Sequence, residues 1–420
     1  MSPRRAVVTA VFLGLTLVFV GCGSDSTKKV VGPPGDPAAE LTAAFTALQN
    51  NDIAGANLHF KNALALNPNN GQANLGAAVT DVALLSEDSD VQELIDLLDS
   101  ASSQIPLAGR VPLRSARMPA LAPVRPESPR AAALRHVGVP LSSRFDVLTS
   151  GRRLFGFMTM SSISPGQISH LQQIVRTKVL PKLAYIEARL NVVETLVGFT
   201  MLLPTNVTGL SYELEIDTGD VLVLDAAVNL VQGTAEFLVA YNADLPSYDH
   251  VNVESLFTSP NVDFATLNPD GQVELSSARL DWLTAISSMD LAVTSILAET
   301  DPQDDDLIMP DTFGTPGDIA NLRDQLARLD DGLSGPVYVR FTNTYGAPDS
   351  VRVDASEFFT NPIQDLKDYA PDHTFKLAHE LVPDDPPNFP DPTFHGILPG
   401  MTNDRIRFLL GVPPVTVATP

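Results

Sequence analysis

The sequence predicts a mainly α protein: helical hairpins near the N-terminus, then an α-helical body carrying one small β-hairpin. Three observations carry this expectation. Apolar residues recur at helical spacing over three long stretches, 166–200, 218–242 and 273–299. Alternating β-branched and polar residues on both sides of a turn occur at one place, 336–354. Hydrophobic content of 44% against 18% charged describes a folded chain with ample core, not a disordered one.

Residues 1–22 read as a secretory signal. Arg4 and Arg5 supply the positive start, and Ala6 to Val20 form an apolar segment too short for a stable membrane span. The segment ends Phe19-Val20-Gly21-Cys22, and Cys22 is the chain's one cysteine. No intramolecular disulfide and no cysteine-based metal site can therefore form. This end resembles the lipobox of bacterial lipoproteins, in which a cysteine directly after a small residue is lipidated and becomes the mature N-terminus. Phe19 departs from it, standing where that family prefers Leu. The resemblance implies a protein held in the cell envelope by a diacylated, palmitate-labelled Cys22, at the outer membrane or facing the periplasm. The Gly/Pro-rich stretch 23–37 reads as a tether holding a folded body off the membrane.

Residues 38–100 read as two helical hairpins. In the first, small or apolar residues fall at Ala44, Leu48, Ala56, Phe60, Ala63 and Leu64, and Pro68 stops the second helix. Asn51-Asp52 fills the turn, where Asn tolerates left-handed backbone. This pattern resembles a tetratricopeptide repeat, a helix–turn–helix unit of about 34 residues. A second unit begins at Gly71, with a poorly fitting second helix at Val91–Leu98. One good and one degenerate unit are fewer than the three or so a solenoid needs, so the hairpins are expected to pack on something else.

From 101 to 145 prolines alternate with Arg110, Arg114, Arg117, Arg125, Arg130, Arg135 and Arg144, which reads as a basic, solvated linker. The body spans 146–411, with a tail at 412–420. Its first helix, 166–200, has an apolar face on Ile168, Leu171, Val175, Leu183, Ile186, Leu190 and Val193, and Pro181 is expected to kink or split it. A third strong helix runs from Val273 to Glu299, and a shorter one from Asp318 to Asp331 ends at Gly332. The β-hairpin pairs Pro336–Thr342 with Ser350–Asp354. A short helix is expected at Asn361–Tyr369, with Pro362 in its first turn, and PTFHGILPGMTNDRIRFLLG closes the body on a small amphipathic helix. This layout, from the proline-split helix to the PTFHGILPGMTN segment, is similar to uncharacterised bacterial lipoproteins. That likeness implies no activity.

The middle element organises the body. Tyr212–Asp217 alternates apolar and acidic residues, as a short strand would. Asp217, with Asp220 three residues on, reads as the N-cap of a helix starting at Thr218. The helix is apolar around most of its girth, but Asp225, Asn229, Gln232 and Glu236 fall in a stripe about 60° wide. Two carboxylates in mid-segment point to a buried helix of a soluble body rather than a membrane span. The stripe has two readings. It is the solvent-facing edge of a core helix, or it faces inward as a polar seam with Arg189 or Lys182 as counter-charge. In the second case these four residues are the candidate ligand-binding set.

Catalytic motifs are missing. There is no phosphate loop or dinucleotide fingerprint, and Gly332-Leu333-Ser334-Gly335 lacks the spacing of a nucleophile elbow. His379-Glu380 begins like a zincin helix without the second histidine, and with His373 it gives no regular metal geometry. The acidic loop 301–311 and Asn268-Pro269-Asp270-Gly271 lack the spaced oxygens of a calcium loop. No metal or cofactor is expected. A formal charge of −23 argues against nucleic acid as a partner. The expectation is a non-enzymatic cell-envelope lipoprotein that binds a protein or peptide partner, or scaffolds an assembly. The alternative is an extracytoplasmic small-ligand binder with a pocket between body helices.

Overall fold

The computed structural model describes residues 35–93, 167–244, 263–300, 306–370 and 388–409, apart from positions 86, 90, 209, 210, 344 and 345. The signal segment with Cys22, nearly all of the tether, the Pro/Arg-rich linker, most of the helix expected at Val91–Leu98, the acidic stretch 301–305, His373, His379, Glu380 and the tail lie outside the described residues. The described chain is mainly helical, with eleven α-helices and two separate two-stranded sheets. It groups into two compact units. The described parts of 35–93, 176–232 and 284–324 form the first, and those of 167–175, 233–283 and 325–409 form the second.

In the first unit, α1 (Pro37–Gln49), α2 (Ile53–Leu66) and α3 (Gly71–Leu85) follow from local rules. Asp36 caps α1 by accepting from the Ala38 amide at 3.0 Å, and Pro37 occupies the first turn. Asn51 takes φ 59° in the turn, and Asp52 caps α2 by accepting from Gly55 N at 2.8 Å. Ala44, Ala56, Ala63, Ala73 and Ala77 are fully buried, so the three helices approach closely around Phe60. At Gly76 a Cβ would come within 2.4 Å of the Phe60 ring, which is why that helical position carries no side chain.

The open side of this short array is closed by α5 (Leu180–Glu194). Lys182 pairs with Asp88 at 2.8 Å, Arg189 Nη1 donates to Asn74 Oδ1 at 3.4 Å, and Arg189 and Lys61 both lie over the Tyr185 ring. The hairpins thus find their missing neighbour within this chain. Ahead of α5, α4 (Gln167–Ile174) gives way to a π-helical turn at Val175–Val179. Pro181 in the first turn of α5 has no N–H to continue the earlier ladder, so the predicted break sits here.

Strand β1 (Thr200–Leu203) pairs antiparallel with β2 (Leu214–Asp217), Thr200 opposite Asp217, and the short helix α6 (Thr205–Thr208) lies between them. β1 is absent from the sequence reading, because four residues are too few to show a period. Helix α7 (Thr218–Val239) follows β2 directly. Asp217 and Asp220 cap its start reciprocally: Asp220 N donates to Asp217 Oδ1 at 3.0 Å, and Asp217 N to Asp220 Oδ2 at 3.2 Å. Helix α8 (Gly271–Ala298) starts at the turn where Gly271 N donates to Asn268 O at 2.8 Å. In the first unit Leu222 and Val223 of α7 pack with Ala292, Val293 and Ile296 of α8, together with Ile308 and Phe313. Ile319 and Leu322 of α9 (Pro316–Ser334) cover that cluster. α9 runs through Gly332, contrary to the predicted stop. A helical glycine costs only about 1 kcal/mol, and Gly335 N still donates to Asp331 O.

In the second unit, Ala240, Leu275 and Phe359 are buried among Tyr241, Trp282, Leu333 and Phe358. The Trp282 ring packs edge-on against Phe359 at 5.6 Å, a core role. Strands β3 (Val337–Thr342) and β4 (Pro348–Val353) form the predicted hairpin, Val337 opposite Val353 and Thr342 opposite Pro348. The helix expected at Asn361–Tyr369 is displaced. α10 occupies Ala355–Thr360, and only a 3-10 turn at Leu366–Tyr369 follows. Pro362 forces Asn361 out of helical backbone, so it ends α10 instead of starting a helix. α11 (Asn403–Leu409) closes the described chain.

Candidate functional site

Three of the four stripe residues on α7 lie inside the first unit. Asp225 and Asn229 are each 1% exposed and Gln232 is 7% exposed, so the solvent-facing reading of the stripe is overturned. The remaining member, Glu236, is partly buried, lies one turn further on and belongs to the second unit. By length and composition alone, α7 and α8 are long and apolar enough to cross a membrane, but α7 places this polar seam within the protein.

The seam is hydrogen-bonded from two sides. Ser288 of α8 donates its Oγ–H to Asp225 Oδ2 at 2.7 Å, and Asn229 donates Nδ2–H to Asp225 Oδ1 and to the Asp225 carbonyl, both at 3.0 Å. Gln232 Nε2 lies 3.5 Å from Glu187 Oε2 on α5, a long contact. Glu194, the last residue of α5, completes the group. Burial first, then the Asp225 and Glu187 charges, pushes its carboxyl up to about 7. Its place at a helix C-terminus, where backbone carbonyls already point outward, disfavours a negative charge further. Glu194 Oε1, Asn229 Oδ1 and Gln232 Oε1 are buried and accept no hydrogen bond from the protein. The seam therefore has more acceptors than donors.

The counter-charges expected from the sequence do not come here, because Lys182 and Arg189 serve the contact between α5 and the hairpins. Instead α5 turns Glu187 and Glu194 toward α7. Sequence reasoning missed both, and Ser288 too. Their signal was available, since Glu187 and Glu194 are seven residues apart, two turns on one helix face, as are Asp225 and Gln232 on α7. At the start of α7 a second carboxyl, Asp220, is raised by burial and by the Asp217 charge beside it. Among the described residues, no group of three or more His, Cys, Asp or Glu side chains is placed to hold a metal ion.

The second unit offers a different feature. β4 has its outer edge engaged, with Arg405 donating to Ser350 O and Asp354 N donating to Ile397 O. Among the described residues β3 pairs only with β4, and its other edge is open. Asn343 N donates to Ala347 O across the hairpin. Alternation along an antiparallel ladder then directs the backbone N–H and C=O of Tyr338, Arg340 and Thr342 outward. Tyr338 is 68% exposed and Val339 49%, so the open edge carries large apolar groups on both faces. Comparison with known proteins finds no matching family, no matching curated protein and no matching solved structure.

Proposed function

We propose that this chain is a non-enzymatic, lipid-anchored cell-envelope protein that binds an extended segment of a protein partner by strand addition to β3. The open edge of β3 carries this reading. Among the described residues, three on β3 present unpaired backbone groups in strand geometry, and such an edge is a ready template for another chain. Main-chain bonds supply affinity there, while Tyr338 and Val339 read alternate side chains of the added strand. A two-stranded hairpin is marginal alone, and a third strand stabilises it. The sequence before Cys22 supports the anchor at Cys22, and a chain of charge −23 gives an anionic surface that favours a neutral or basic segment.

Proline substitution tests the edge. Arg340→Pro removes an outward N–H without breaking the β3–β4 ladder, a position where edge strands tolerate proline. Wild-type protein used as bait on detergent-solubilised envelopes is expected to retain a stoichiometric partner, and Arg340→Pro to lose it with an unchanged circular dichroism spectrum. Equal retention by both proteins refutes strand addition.

A further inference from the structure

The polar seam between α5 and α7 points to a binding function independent of the β3 edge. Three buried oxygens there, Glu194 Oε1, Asn229 Oδ1 and Gln232 Oε1, have no hydrogen-bond donor. The two amides belong to side chains more than nine-tenths buried, and each is held at the seam by its own nitrogen, Asn229 on Asp225 and Gln232 near Glu187. Turning either amide over would set its oxygen against a carboxylate, so the orientation is determined by the neighbours. Buried acceptors left unsatisfied destabilise a fold, and three of them on the facing helices α5 and α7 suit a donor brought by a ligand.

The donor's chemistry follows from the count. A water molecule supplies two protons and no charge for three acceptors, and its own lone pairs ask for donors that the seam lacks. A divalent metal needs several converging charged ligands, and no such convergence exists among the described residues. A primary ammonium group supplies three N–H donors and one positive charge. The charge answers Glu187 and Glu194, whose nearest cations in sequence, Lys182 and Arg189, are engaged elsewhere. We propose that this seam binds the primary ammonium group of a small organic amine, with Glu194, Asn229 and Gln232 as acceptors and Glu187 as the charge partner. Glu194 must be ionised to serve, so binding strengthens as pH rises through about 7 and levels off above it.

The test is thermal unfolding of the full chain at pH 8 in methylammonium, tetramethylammonium or sodium chloride at equal ionic strength. Methylammonium is expected to raise the unfolding midpoint saturably, by at least threefold more than either other salt. Tetramethylammonium carries the charge without N–H donors and separates screening from recognition. Glu194→Gln, which brings its own donor to a partly exposed position, is expected to fold and to abolish the methylammonium rise. Gln232→Met, of similar volume, is expected to weaken it several-fold. Equal midpoints in all three salts, an equal rise with tetramethylammonium, or a full rise retained in both variants overturns the proposal.

Discussion

Truncation of Asp225 measures how far the seam supports the first unit. Asp225→Ala leaves Asn229 Nδ2 and Ser288 Oγ without the carboxylate oxygens at 3.0 and 2.7 Å, and both side chains are buried. Asn229 keeps its bond to the residue 225 carbonyl, so one of its N–H groups and the Ser288 hydroxyl lose their acceptors, and each destabilises by about 1–3 kcal/mol. Two effects oppose this: Ala favours the helix by about 0.7 kcal/mol relative to Asp, and the charge facing Glu194 disappears. The net expectation is a loss of about 2–4 kcal/mol. Asp225→Asn keeps the shape and one acceptor, so a loss of about 1–2 kcal/mol is expected from one disturbed donor. Urea unfolding followed by circular dichroism at 222 nm, with midpoint and slope fitted together, reads both. A loss under about 0.5 kcal/mol for Asp225→Ala, the range of ordinary surface substitutions, would refute the buried seam.

Two further outcomes follow. The Glu194 carboxyl is raised from 4.5 to about 7, so the folded state keeps a proton that the unfolded state has released in between. Stability should therefore fall as pH rises from about 4.5 to 7 and level off above, by about 1–2 kcal/mol once the partial exposure of Glu194 is allowed for. The charges of Glu187 and Asp225 beside it contribute to that rise, and Glu194→Gln should flatten this part of the profile; an unchanged slope in that variant would assign it elsewhere. Cys22→Ser should release protein from the membrane fraction or leave the precursor uncleaved, since stable anchoring needs more than one acyl chain. Wild-type protein that takes up no radioactive palmitate would contradict the anchor.

Much of the fold is legible because local chemistry decides it. The start of α7 was readable from Asp217 and Asp220, whose side chains satisfy the first free amides whatever surrounds them. The Asn51 turn, the break before Pro181 and the β3–β4 pairing were readable for the same reason. The stripe on α7 was readable as a stripe but not as a direction. A band about 60° wide fits a solvent edge or a buried seam equally, and only the arrival of Ser288 and the α5 carboxyls from distant sequence separates the two. Lys182 and Arg189 were misplaced for a related reason. Charge alone made them partners for the stripe, whereas Asp88, Asn74 and Tyr185, some ninety or more residues away or one helical turn off, hold them. The helix expected around Pro362 failed because proline in a first turn and proline after a last turn look alike until the preceding residues are placed.

Backbone amide hydrogen exchange at β3 tests the central claim most directly. In the free protein the outward amides of Tyr338, Arg340 and Thr342 should exchange quickly, while the ladder amides of Val337, Val339 and Phe341 should be slower. With the captured partner bound, strong protection is expected at Tyr338, Arg340 and Thr342, in alternation along the strand. Binding that leaves these three amides exchanging as fast as in the free protein would contradict strand addition.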